Sequence, residues 1–575
     1  MAVQTSHFTP VFSSGSKKWT TRKVVLLLLL ELLVLSVRLV TSPIPSYVSV
    51  GDEGIYMSIM YYNAYGGQSE GGIYRGFGGV NFGNINDSHF DPGVVFNFYD
   101  SFIYPEILIG DLFGVSATNA IAFVLLMSLV EALFAFLIID HIAGTRSATL
   151  GMILLAFFPL DVVYSNYVQP FVPLAAFTAI TLFFFVKSLD DKKGLAKYAL
   201  AAGIFANIAY EANPWGLLDI MFIVAYLAAT YVWSSAKGKR SVNLRVLAFS
   251  ALGFLLTFSI TGVYYFALSG NFFLYPAVDH NVFARQVYLT WNQGSTLIGL
   301  PQPFGSYVVD YVFSAPNFYV QTLLGGLTGD GFQVYLLSVM LYLAIFGSIM
   351  ALLKRVRKEI KHALLFAAFF VVLLFALNFL PTAMVPVPGG LTVIGMADHM
   401  YVYLEILALP IVIVSAVAIG WLFDRGGICR GIALAMIITA LFGDFLSLSY
   451  DSAYYKAGLY SYIAFAGFYN QHKNATFYVN DQFGGNARFT VGGRAGNIVF
   501  VSTCQPVSTF ADGSYLVEGG TISISASPSL MQRMEDCYAN FTRNITPVYY
   551  EPNPFAAYAS PEPPLEIYRI GNGTR

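Results

Sequence analysis

The chain has 575 residues, 56% of them apolar and only 11% charged, with a net charge of −2 and a mean hydropathy of +0.62. Soluble domains carry roughly a quarter charged residues, so an ordinary soluble protein is excluded, and so small a net charge offers no footing for nucleic acid. Three Cys are too few for a disulfide framework, whereas 50 Phe and 38 Tyr suit membrane interiors and interfaces.

Residues 1–23 hold Lys17, Lys18, Arg22 and Lys23 and read as a cytoplasmic tail. Val24–Val40 is long enough to span, at about 20 residues per crossing. No small-x-small cleavage site follows it, and Glu31 and Arg38 lie within it. It reads as a retained first helix and not as a signal peptide. A long exterior loop, 42–118, comes next. Its middle is rich in Gly and Asn and reads as irregular. Its end, Val94–Phe113, reads as a helix lying on or dipping into the membrane, because Asp100, Pro105, Glu106 and Asp111 interrupt an apolar run.

Apolar segments then recur at 119–140, 147–164, 170–187, 196–211, 214–233 and 246–268. A second exterior loop covers 269–332, and further segments lie at 333–353, 363–380, 401–422 and 431–449. With the first helix this makes about eleven crossings, within a membrane domain of residues 24–450. The Lys and Arg clusters fall in alternate connections, at Arg146, Lys187–Lys197, Lys237–Arg245, Lys354–Lys361 and Arg425–Arg430. This is a sustained positive-inside pattern with the N-terminus in the cytoplasm. The location it predicts is multi-pass, in the cell membrane or, in a eukaryote, the endoplasmic reticulum. The sequons at Asn86, Asn474, Asn540, Asn544 and Asn572 all fall on the exterior side. Residues 451–575 alternate apolar and polar side chains between Gly and Asn clusters and read as a small exterior α/β or α+β domain. Cys504 and Cys537 lie in it. Two readings stand side by side: an exterior disulfide, worth about 3–4 kcal/mol for a loop of that size, or two buried free thiols.

Polar groups gather at the exterior level: Asp52 and Glu53 after the first helix, then His89, Asp91, Asp161, Tyr164, Glu211, Asp279, His280, Arg285, Asp398, His399 and Tyr401. Acidic groups where water meets lipid are functional by default. For Asp161, Glu211 and Asp398, plain capping or solvation is an equal alternative. Glu31, Glu131, Glu405 and Asp444 fall inside apolar spans, where pairing between helices is the expected role. Phosphate-binding loops, H-E-x-x-H and C-x-x-C are absent. The single G-x-S-x-G match, at Gly67–Gly71, lacks the strand before it and the helix after it that a nucleophile elbow needs. Chemistry at the exterior face would therefore draw its energy from an activated substrate.

Gly51-Asp52-Glu53-Gly54-Ile55-Tyr56 after the first helix, Tyr104-Pro105-Glu106, Leu112-Phe113-Gly114, Phe158-Pro159-Leu160-Asp161 with Tyr164, Ala202-Gly203-Ile204 through Glu211, and Asp398-His399-Met400-Tyr401 follow one another in order. In this the chain resembles the GT-C class of membrane glycosyltransferases, which use polyprenyl-phosphate sugars. The protein O-mannosyltransferases and lipid A aminoarabinose transferases are the nearest in character. The resemblance implies a GT-C-like polytopic helical fold and an inverting sugar transfer to the hydroxyl of a lipid, glycan or protein acceptor. Asp52 would be the base and Glu53 its orienting partner. Arg285, Arg75, His280 and His399 would hold the donor phosphate, and His89, Asp91, Glu106, Asp161, Tyr164, Glu211, Asp398 and Tyr401 would line the pocket. A divalent metal near the exterior acidic cluster is compatible with this but not required. Two positions depart from the class: the His of its His-Pro pair is missing, and Met400 stands where an Arg is usual. They leave a catalytically inactive scaffold as an alternative, beside a transporter or flippase.

Overall fold

The computed structural model describes residues 20–41, 57, 100–236, 243–269, 272, 339–360, 362–379, 381–387, 390–395, 401–480, 487, 490–491, 497–501, 509–518, 545–552 and 564–571. The helices are α1 (Thr21–Thr41), α2 (Asp100–Phe113), α3 (Ala117–Ala143), α4 (Thr145–Phe157), α5 (Pro159–Tyr164), α6 (Phe171–Asp190), α7 (Leu195–Ala212), α8 (Leu217–Ala236), α9 (Asn243–Ser269), α10 (Met340–Leu352), α11 (Lys354–Glu359), α12 (Ala363–Phe379), α13 (Ala408–Asp424) and α14 (Gly427–Gln471). Short 3-10 turns at Pro214–Gly216 and Tyr401–Leu407 lead into α8 and α13. Among the described residues seven helices are long and apolar enough to cross a membrane, and α4, α10 and the first part of α12 are shorter apolar helices. The protein is a multi-pass helical membrane protein with a small C-terminal sheet.

Proline and glycine shape several of these elements. The apolar run 147–164 is two helices, because Pro159 has no N–H to continue α4. Phe158 before it is extended, at φ −67° and ψ 114°. Pro410, by contrast, sits in the first turn of α13, where a missing N–H costs nothing. Asn213 caps the Pro214–Gly216 turn, its Oδ1 accepting from the Trp215 N–H at 3.0 Å.

Burial separates the centre of the bundle from its rim. The span containing α13 is 89% buried, against 22% for those of α1 and α9. α13 is therefore the hub, contacted by α4, α10, α12 and α14, and the exposed Leu, Ile and Phe side chains of the rim helices face lipid. One end of the bundle is rich in basic residues and laced by polar contacts. Lys23 pairs with Asp140, Asp190 meets the Nε2 atoms of His141 and His362 at 2.9 and 3.0 Å, and Arg425 pairs with Glu359.

α14 is the largest departure from the expected elements. Its apolar part closes near Ser449, but the helix continues unbroken through Asp451 to Gln471. The C-terminal sheet packs on this extension. Its strands are β3 (Phe477–Asn480), β4 (Ile498–Val501), β5 (Tyr515–Glu518), β6 (Tyr549–Glu551) and β7 (Leu565–Arg569), following a hairpin within the membrane domain, β1 (Pro381–Val387) and β2 (Gly390–Gly395). The strand order is β4-β3-β5-β7-β6. β3 runs parallel to both neighbours, and β7 is antiparallel to β5 and β6. Phe465, Phe468 and Tyr469 of α14 enter the aromatic core of the sheet, with Phe465 and Phe477 ring centroids 5.6 Å apart.

Candidate functional site

The site builds up from one buried arginine. Arg38 lies in the last turn of α1 and is fully buried. Its Nε donates to the Ser128 hydroxyl of α3 at 2.6 Å, its Nη1 to the Val34 carbonyl at 3.2 Å, and its Nη2 to the Asp161 carboxylate of α5. The Pro159 break makes this last contact available, since it turns the chain into a separate short helix at the level where α1 ends.

Two more acids converge there. Glu131 of α3 and Glu405 of the Tyr401–Leu407 turn are fully buried, and ligand oxygens of Glu131, Asp161 and Glu405 lie within 4.8 Å of one another. Both oxygens of Glu131 and of Glu405 and one of Asp161 lack a geometrically ideal hydrogen-bond partner among the described residues. Asp161 and Glu405 are nonetheless close enough for one carboxyl to hydrogen-bond the other. Three carboxylates face one guanidinium, so the cluster needs added positive charge, as protons or a cation, to stay dry. An oxygen-only donor set of this kind fits a hard divalent cation.

Glu211 belongs to a second network, at the end of α7. Its carboxylate accepts from Ser101 of α2 at 3.2 Å, from Asn207 one turn below at 2.6 Å, and from Thr261 of α9. It lines a narrow cleft with Tyr210, Phe258, Thr261, Tyr265 and Phe272. Glu106 is fully buried within α2. Tyr164 ends α5, its ring 5.7 Å from that of Tyr167, which packs against both the bundle core and the core of the C-terminal sheet.

Of the residues singled out in the sequence, the structure thus brings Asp161 into the Arg38 cluster and places Tyr164 just beyond it. Glu211 lies in its own network. Asp52, Glu53, Arg75, His89, Asp91, His280, Arg285, Asp398, His399, Cys504 and Cys537 lie outside the described residues, and of Tyr401 only the backbone is described. Arg38 was not among the candidate site residues. Its signal was present all the same, since a lone cation inside an apolar span must find a partner. Glu131 and Glu405, expected to pair between helices, supply its surroundings.

The family model described as dolichyl-phosphate-mannose-protein mannosyltransferase matches residues 107–264, from α2 to α9. No curated protein sequence matches the chain. Among solved structures, the Archaeoglobus fulgidus oligosaccharyltransferase tethered to an acceptor peptide matches with a TM-score of 0.53 at 12% identity, over 93% of this chain and 73% of that one. The same enzyme in complex with Zn and sulfate matches with a TM-score of 0.50 at 13% identity, over 81% of this chain. The fold is shared. This chain spans only 61% of the oligosaccharyltransferase in that second match. ArnT from Cupriavidus metallidurans, bound to undecaprenyl phosphate, matches over 92% of this chain and 97% of its own at 13% identity. Its TM-score of 0.48 adds nothing to the fold assignment. In fold, the chain is similar to the GT-C membrane glycosyltransferases that its sequence resembles.

Proposed function

We propose that the protein transfers a sugar from a polyprenyl-phosphate carrier to an acceptor hydroxyl at the exterior membrane face, with inversion at the anomeric carbon. The observation that carries this reading is the match of residues 107–264 to the mannosyltransferase family, set in a bundle with the fold of an oligosaccharyltransferase. Asp52 takes the proton of the attacking hydroxyl, a role worth typically 10²–10⁴-fold in rate. An Asp with an ordinary pKa is ionised at neutral pH and serves without a large shift. Glu53 orients it. The leaving phosphate departs already charged and needs a cation to receive it. Arg285 is the first choice, with Arg75, His280 and His399 behind it. Glu211 and Tyr164 belong to the same exterior level.

The decisive experiment is Asp52→Asn in the purified full chain, assayed against a panel of polyprenyl-phosphate sugars. Transfer is expected to fall at least 100-fold, and transfer near wild type would overturn the base assignment.

Glu131, Asp161 and Glu405 would hold a divalent cation, whose chemistry there is charge balance beneath the site. Elemental analysis of the purified protein should then show about one divalent ion per chain. A protein that is metal-free yet fully active assigns the balance to protons.

A second reading, a polytopic transporter, draws on two acids within spanning helices whose carboxylate oxygens are buried, Glu31 and Glu131. Flux of a lipid-linked sugar across vesicles, without transfer to any acceptor, would favour it.

A further inference from the structure

We propose that Arg38 is a positioning residue for the transfer site, an inference that rests on the glycosyltransferase reading above. The geometry is specific. One guanidinium binds the hydroxyl of Ser128 on α3 and the carboxylate of Asp161 on α5, beside Glu131 and Glu405. Four elements meet at this point: α1, α3, α5 and the Tyr401–Leu407 turn.

Three of them are the roots of segments that carry candidate site residues. α1 ends at Thr41, eleven residues before Asp52. α5 ends at Tyr164. The Tyr401–Leu407 turn begins two residues after His399. At this junction polar contacts join these roots deep in the bundle, and Asn166, just past α5, adds a contact to Thr41 at the end of α1.

Holding helices together does not call for this chemistry. Well-packed apolar side chains of similar volume hold a buried contact as well as an ion pair does, or better, because they avoid desolvation. What a guanidinium adds is direction. Its planar fork has fixed donor positions, so it sets the rotation and depth of α1 against α5 as a Leu contact cannot. Arg38 and Asp161 have no exposed surface, so Arg38 acts on the site through the elements it joins. A displacement of about 1 Å at the reacting groups is enough to cost about 100-fold in rate.

The test uses the full chain in detergent or nanodiscs. Arg38→Met/Asp161→Leu replaces the pair by apolar side chains, and Arg38→Lys keeps the charge but removes the fork. Arg38→Lys is expected to keep a thermal midpoint within a few degrees of wild type, whereas the double variant, which leaves Glu131 and Glu405 buried without a guanidinium, is expected to lower it. For both variants kcat for transfer from a polyprenyl-phosphate sugar should fall about 10- to 100-fold, with KM for the donor changed less than threefold. Either variant with wild-type kcat overturns the proposal. If the double variant does not fold, Arg38→Lys alone carries the test. Hydrogen–deuterium exchange supplies a readout that does not depend on turnover. Peptides from the last turn of α1, from α5 and from the Tyr401–Leu407 turn should exchange at least threefold faster in Arg38→Lys, and unchanged exchange refutes the junction. A wild-type protein that transfers no sugar while exchange responds as expected removes the glycosyltransferase reading and leaves the junction in place.

Discussion

Tyr460 and Glu551 show how a single contact anchors the C-terminal sheet. The Tyr460 hydroxyl, on the extension of α14, donates to the Glu551 carboxylate at the end of β6. That hydrogen bond to an anion, with burial and the nearby negative charge adding to it, pushes the Tyr460 pKa up to about 12. A group whose pKa is raised on folding contributes stability that is complete below its unfolded value, about 10. That contribution is lost as pH rises from there toward 12. The ultraviolet titration difference between wild type and Tyr460→Phe should therefore report one phenol ionising near pH 12, and a difference centred near 10 would show the contact to be absent in solution. Neither partner announces itself in the sequence, where Tyr460 and Glu551 are 91 positions apart. Arg38 is different at the same scale. Its presence in an apolar run was visible and its need for a partner followed, but which of several acids would meet it was not.

At the scale of elements, the crossing of α7 and α9 rests on two glycines. A Cβ added at Gly203 would meet the Ser250 carbonyl oxygen at 1.9 Å, and one at Gly253 would meet that of Leu200 at 2.2 Å. Both obstacles are backbone and cannot rotate away, so the helices touch only because each offers no side chain. Gly203→Val should cost about 3 kcal/mol, read as a lower thermal midpoint in detergent. Gly431→Ala on α14, which meets nothing within 4 Å, should be neutral or stabilising by up to about 1 kcal/mol. Equal midpoints for the two variants would refute the crossing. Most element boundaries were legible to within a few residues, because apolar runs and prolines act locally. The exceptions are 147–164, read as one segment although Pro159 divides it into two helices, and α14. The apolar span of α14 closes at Ser449, and the drop in hydropathy there reads as the start of a separate domain. The helix does not end with its apolar span, since its backbone hydrogen bonds are internal and need no lipid.

At the scale of the whole molecule, orientation rests on the alternation of basic connections. It predicts that Cys429, at the start of α14 beside Arg425 and Arg430, faces the cytoplasm. In a chain carrying Cys504→Ser and Cys537→Ser, a membrane-impermeant maleimide should leave intact cells unlabelled at Cys429 and label it once they are opened. Labelling in intact cells would invert the topology and move the proposed site to the other face.

Composition and hydropathy alone identify a multi-pass helical membrane protein, show about where its helices run, and mark a small sheet-forming segment after them. The bilayer imposes these features on each stretch separately, through the cost of exposing backbone and charge to lipid, so they can be read one segment at a time. That Arg38 meets Asp161 across 123 positions, with Glu131 and Glu405 beside them, and that Glu211 is held instead by Ser101 and Thr261, emerges from the folded bundle alone. Such partnerships depend on the order and rotation of helices in the bundle. Those are set by interlocking side chains and close glycine contacts between distant segments, and an apolar span shows the same hydropathy whichever neighbour it turns toward.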